Sequence, residues 1–186
     1  MTAFFLALIG AALVNNLLVL LPAGADTVQV RRAQLALLGP ASALLIALAT
    51  PLGWLLFHGG LAPLHLDYLR LFVYLPLLAA LAWASLTLVR RVRGQQFEGL
   101  GWPLLVSNGA ALGSVLLAEP QSFVQALAQG IGGGLGFWLA LRVLADLLER
   151  IDHRAVPTAL RGMPLVLIGA GLIGLALLGL QGLAPR

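Results

Sequence analysis

The chain has no cysteine and no lysine, and few charges of either sign: seven acidic residues against eleven arginines in 186. Without cysteine, disulfides, thiolate metal sites and cysteine nucleophiles are all excluded. Without lysine, the formal charge of +4 is carried entirely by arginine. These arginines sit between apolar runs, so they read as orientation and headgroup contacts rather than as a nucleic-acid surface. Charged residues make up only 10% of the chain, whereas 60% is hydrophobic. A soluble domain cannot hide that much apolar surface in one core, but a bilayer can. Six spans of ~20 residues would absorb about 120 residues and leave only short loops. The composition defines an all-α integral membrane protein.

Apolar runs and breakers give six expected spans: Thr2–Leu21, Leu35–Phe57, Tyr68–Val89, Gly101–Leu117, Phe123–Leu148 and Pro164–Leu180. Pro22-Ala23-Gly24 stops the first and His58-Gly59-Gly60 the second. Arg90-Arg91-Val92-Arg93-Gly94 stops the third, Glu119-Pro120 the fourth, and the polar stretch Glu149–Arg161 separates the last two. Ala23-Gly24-Ala25 has the small residues of a signal-peptide cleavage site. No positive charge precedes the first run, however, and Asn15-Asn16 interrupts it, so it is read as a retained span.

The arginines set an orientation. The first, third and fifth connections carry Arg31 and Arg32; Arg90, Arg91 and Arg93; and Arg150, Arg154 and Arg161. The second has only Arg70 and the fourth none. Positive-inside then places the odd connections in the cytoplasm and both termini on the periplasmic side of a bacterial inner membrane. The first and fourth spans are interrupted at equivalent places, by Asn15-Asn16 and by Ser107-Asn108. Three spans per half is odd, so the expected organisation is a single polytopic domain of two inverted three-helix repeats, about 1–93 and 94–186. Paired broken helices in inverted halves mark candidate working sites, because unwound backbone is tolerated where it lines a cavity or meets its twin.

Other motifs have plainer readings. Gly130-Ile131-Gly132-Gly133-Gly134-Leu135-Gly136 resembles a phosphate loop but lacks the strand and βαβ unit such a loop needs. Glycines four apart instead let helices approach closely in lipid. The same reading applies to Gly169, Gly171, Gly174 and Gly179 in the last span. Arg142, Asp146 and Arg150, with Glu149 beside them, read as a self-neutralising ladder at the end of the fifth span. His58, His65 and Asp67 share a loop without tight metal spacing, and His153 is likewise a loop residue. No triad, acidic pair or metal cluster emerges, so no catalytic or metal-ligating residue is expected.

The order of segments resembles one known family. Leu8-Ile9-Gly10…Leu13-Val14-Asn15-Asn16 is similar to the start of the A subunit of the Rnf (Rsx) ion-translocating electron-transport complex. Leu66-Asp67-Tyr68-Leu69-Arg70 is similar to a Leu-Glu-Tyr-Leu-Arg run in that family. The likeness continues through Gly101-Trp102-Pro103-Leu104, Ser107-Asn108-Gly109-Ala110-Ala111-Leu112-Gly113, Glu149-Arg150, Val156-Pro157 and Arg161-Gly162 to the closing glycine-rich span. It covers nearly the whole chain in order. The resemblance implies six helices as inverted repeats. It implies assembly with other members of an Rnf-like complex, among them a homologous six-helix membrane subunit. It also implies a [2Fe-2S] cluster held between the two homologous subunits, each giving one cysteine from a Gly-Leu-Cys-Pro loop and one from Thr-Asn-Cys.

Here the chain departs from the pattern. Gly109 stands in the place of the Thr-Asn-Cys cysteine, and Ala23-Gly24-Ala25-Asp26 in the shortened first loop replaces the other segment. Iron–sulfur clusters need thiolates or, occasionally, imidazoles. Gly109 has no side chain, Asp26 is a poor substitute, and no histidine lies near either. No cofactor ligand is therefore expected from this chain. Two functions follow as expectations: a non-catalytic or electron-relay subunit of an Rnf-like complex, or a repurposed paralogue acting as a small membrane transporter or scaffold outside a redox chain.

Overall fold

The computed structural model describes residues 2–14, 32–93, 105–152 and 156–179. Among these there is no strand. The elements are α1 (Thr2–Ile9), continued by a π-helical turn at Gly10–Val14; α2 (Arg32–Leu56), continued by another at Phe57–Leu61; α3 (Arg70–Arg93); α4 (Gly109–Ala118); α5 (Phe123–Arg150); and α6 (Met163–Leu178). Three stretches among the described residues are long and apolar enough to cross a membrane: Leu38–Leu61, Asp67–Val92 and Phe123–Arg150. Two shorter apolar helices, Gly109–Ala118 and Pro164–Leu177, accompany them.

Proline lies inside the long helices, at Pro40 and Pro51 in α2 and Pro76 in α3. Each removes one intrahelical donor, which a bilayer helix tolerates when neighbours re-engage the freed groups. Just before Pro51, the Thr50 hydroxyl donates to the Ile46 carbonyl at 2.8 Å. The start of α5 is fixed differently, by a capping box. Ser122 Oγ accepts from the Gln125 amide and Gln125 Oε1 accepts from the Ser122 amide. Ser122→Ala is expected to lower the unfolding free energy by about 1 kcal/mol. Denaturant unfolding in mild detergent would read this, with Ser122→Thr close to neutral.

The interior is small-grained. Tyr74, Leu78, Ala82 and Leu86 form one stripe of α3 at spacing four, packed in the same cluster as Leu45 and Ile46 of α2, Val115 of α4 and Phe137 and Leu141 of α5. The outside is the reverse of a soluble protein's: Phe72 is 75% exposed and Trp83 63%. Exposed rings of that size are stable against lipid or a partner, not water.

Helix α5 sits between α1 and α2, and its glycines are the reason it can. A Cβ on Gly132 would collide with the Leu8 carbonyl, and one on Gly136 with the Ala12 carbonyl. Both contacts advance by four, so α1 and α5 run parallel. On its other face, Gly134 meets the Ala43 carbonyl and Gly130 meets Ala47 O, 3.1 Å from where a Cβ would stand. Here the steps oppose, so α2 runs antiparallel. Backbone-to-backbone approach of this kind brings Cα–H groups against carbonyls and supplies the van der Waals packing that holds helices together in lipid. In α6 the packing expectation holds only in part, with Gly174 buried. Gly169 does meet Leu144 and Leu147, but Gly171 and Gly179 have nothing within 4 Å. They face away from the other described residues.

Candidate functional site

The fourth apolar segment is broken where its polar residues fall. Leu105 and Val106 are helical, Ser107 turns, and Asn108 leaves the helical region with φ −69° and ψ 96° before α4 begins at Gly109. Asn108 is the N-cap: its Oδ1 accepts from the Ala110 amide at 3.0 Å, satisfying one of the donors a helix start leaves open. Its own amide donates to Leu105 O at 3.3 Å, and its carbonyl accepts from Ala111 N at 3.1 Å. The residue is 2% exposed, among Leu105, Ala110 and Ala111, which are just as buried. Helix α4 is 10 residues long, or roughly 15 Å. Its break therefore lies about half a hydrocarbon thickness below its other end.

Of the sequence-derived site residues, Ser107, Asn108 and Gly109 come together at this break. Asn15, Asn16 and Asp26 lie outside the described residues. So do Arg31, His153, Arg154 and the Gly101–Leu104 portion of the expected fourth span. The donor set at the break does not suit an iron–sulfur cluster. Asn108 Oδ1 is already engaged by Ala110 N, which leaves an N–H donor on the rest of that amide. Gly109 has no side chain to offer. A metal ligand must present a lone pair, and this face of the break presents protons.

A second polar group closes the other end of α4, and sequence spacing held no hint of it. Glu119 follows the helix directly. Its Oε2 accepts from Arg70 Nη1 at 3.0 Å and its Oε1 from the Tyr74 hydroxyl at 2.8 Å. Beside it, Trp54 Nε1 donates to the Gln121 carbonyl at 2.8 Å, and Gln121 Nε2 donates to Gln129 Oε1 at 2.7 Å. His58 stacks on Trp54 with centroids 4.0 Å apart, and its Nδ1 donates to the Trp54 carbonyl at 3.2 Å. This histidine therefore belongs to an aromatic cap on α2, with Phe123 also against the indole. His65 adopts a left-handed φ of 54° in the same connection. Together these contacts tie α2, α3 and the α4–α5 turn at one level. Arg70 and Glu119 were legible only as a span start and a span stop.

Stripes of small residues, a lipid-type exterior and three helices long and apolar enough to cross a membrane define a polytopic α-helical membrane protein. The family model described as "Rnf-Nqr subunit, membrane protein" matches residues 4–184. The chain belongs to the Rnf-Nqr subunit family. It is 38% identical to the A subunit of the ion-translocating oxidoreductase complex of Syntrophotalea carbinolica, over the full length of both proteins. It is 33% identical to the A subunit of the Na(+)-translocating ferredoxin:NAD(+) oxidoreductase complex of Acetobacterium woodii, over 78% of each. An Azoarcus relative, likewise the A subunit of an ion-translocating oxidoreductase complex, is 32% identical over 98% of each.

Proposed function

We propose that this chain is the A-type membrane subunit of an Rnf-like complex that couples electron transfer to ion translocation. The observation that carries this is the match along the whole chain to relatives named as the A subunits of ion-translocating oxidoreductase complexes. On this reading it spans the bacterial inner membrane with six helices in two inverted halves, about 1–93 and 94–186. Both termini are periplasmic, and a homologous six-helix subunit is its nearest partner. Two features support the inverted arrangement. The helix starting the first half loosens into a π-turn at Gly10–Val14, directly before Asn15-Asn16, as the helix starting the second half breaks at Asn108. The packing is also reciprocal: α1 lies against α5, and α4 lies against α2 through Ser114 with Thr50 and Val115 with Gly53.

The same reading has this chain supply no iron–sulfur ligand. Its chemistry at the break supports that, since Asn108 and Gly109 bring neither a thiolate nor an imidazole. Two measurements test the proposal. Affinity purification in mild detergent should bring down flavin-bearing and ferredoxin-like subunits and a homologous six-helix protein. Recovery of the chain alone would instead return it to the class of stand-alone transporters or scaffolds. In the purified complex, iron content and the electron paramagnetic resonance spectrum should be unchanged by Asp26→Ala. An iron–sulfur signal lost with that substitution would overturn the cluster-free assignment.

A further inference from the structure

Three buried polar atoms lack a hydrogen-bond partner among the described residues: Ser42 Oγ, Asn108 Nδ2 and Arg90 Nε. Arg90 lies near the end of α3, where the other guanidinium nitrogens can reach headgroups or solvent. The other two are deep in the bundle. Ser42 is 0% and Asn108 2% exposed. A polar group so placed is costly to leave unpaired, because folding has stripped it of water and returned nothing.

They also lie at one depth. Thr50 Oγ1 and Ser114 Oγ are 2.8 Å apart, which locks the register of α2 against α4. These helices run parallel. From that level Ser42 is eight residues back along α2 and Asn108 six back along α4, or about 12 Å and 9 Å. Ser85 reaches the same level from α3. It is eleven residues from Tyr74 as Asn108 is eleven from Glu119, and the side chains of Tyr74 and Glu119 are bonded at 2.8 Å. The Ser85 hydroxyl is buried and donates to Ala82 O at 3.1 Å, which leaves its lone pairs open. One polar layer therefore crosses the bundle at a level about two turns from the buried Thr50–Ser114 pair.

We propose that Ser42 and Asn108 hold an internal water molecule at this layer, between α2 and the broken start of α4. The chemistry selects water over a cation. The Asn108 amide is fixed in orientation by Ala110 N on its oxygen, so it turns N–H groups towards the layer. The first turn of α4 adds the positive end of its dipole. A water oxygen accepts from Nδ2 while its protons go to the Ser42 or Ser85 lone pairs, giving the two to four polar partners that a buried water requires. Both atoms are buried, which leaves a partner protein no direct approach to them. The inference does not depend on the proposed redox assembly.

The test is a double-mutant cycle on the full chain purified in mild detergent with whatever subunits accompany it, read as thermal unfolding midpoints. Ser42→Ala should lower the midpoint by about 2–4 °C. Asn108→Ser keeps an oxygen to cap Ala110 but removes the N–H donors. In that background Ser42→Ala should cost nothing further, because both side chains serve one ligand. A Ser42→Ala midpoint equal to or above the parent's is what a hydroxyl with no partner would give, and it overturns the proposal. So do losses that simply add. A map of the unsubstituted protein at a resolution that shows ordered solvent gives an independent readout. Density within hydrogen-bond reach of both atoms supports the assignment, and a dry site rejects it.

Discussion

Gly136→Ala is expected to destabilise the bundle by about 1–3 kcal/mol, and Gly136→Leu to prevent it from accumulating folded. The new methyl would run into the carbonyl, Cα and carbonyl carbon of Ala12, and backbone cannot swing aside as a side chain can. Gly132→Ala meets Leu8 backbone in the same way and should cost a similar amount. Gly53→Ala is the informative contrast. Its methyl would press on the Val115 side chain, which can shift, so a smaller loss is expected. At Gly171 nothing lies within 4 Å. Alanine there should be neutral or slightly stabilising, since it is the better helix former by up to ~1 kcal/mol. Unfolding of the four alanine variants in one detergent would rank them. If Gly136→Ala behaved like Gly171→Ala, the close approach of α1 to α5 would be wrong.

The second large effect is expected at Glu119. Its carboxylate is 10% exposed and holds both the Arg70 guanidinium, which is 46% exposed, and the buried Tyr74 hydroxyl. Glu119→Ala leaves the hydroxyl without an acceptor, and the expected loss is about 2–3 kcal/mol. Glu119→Gln keeps an acceptor for Tyr74 and loses only the ion pair. Because Arg70 is nearly half exposed, that pair is screened, and Arg70→Ala should cost below about 1 kcal/mol. Tyr74→Phe should fall between the two. The order matters more than the sizes: were Arg70→Ala the most damaging of the set, the pair rather than the hydroxyl would be holding α3 to the end of α4.

Periodicity and composition carried much of this architecture. The long apolar runs at Leu35–Phe57, Tyr68–Val89 and Phe123–Leu148 fall on α2, α3 and α5. The polar pair Ser107-Asn108 falls on the helix break, because Asn is a strong N-cap and a weak helix interior residue. The glycines of α5 were legible as a packing surface because spacing four repeats on one helical face. What they pack against was not, since a carbonyl leaves no trace in a sequence. Glu119 and its two donors were equally hidden. They are 45 and 49 residues apart, and each taken singly is an ordinary residue at the end of a span. The π-turns at Gly10–Val14 and Phe57–Leu61 were also silent, because an extra residue per turn has no strong sequence signature. At the candidate site, the residue type of Asn108 pointed to the helix break that it caps. Ser42 was missed because a serine in an apolar run ordinarily satisfies itself on its own helix.

The parallel contact between α1 and α5 has a consequence for how the chain is made. Helix α1 and its π-turn run to Val14, yet the residues they fit against, Gly132 and Gly136, emerge some 120 positions later. At about 5–20 residues per second, that is a wait of roughly 6–24 s. On the six-span reading proposed above, α1 stays in the bilayer throughout that wait without its main neighbour, while α2, α3 and α4 are inserted. Its side chains are almost wholly apolar over Thr2–Val14, so lipid alone can keep it there. The bundle is therefore closed late, by the arrival of a glycine ridge that slides between two helices already in the membrane.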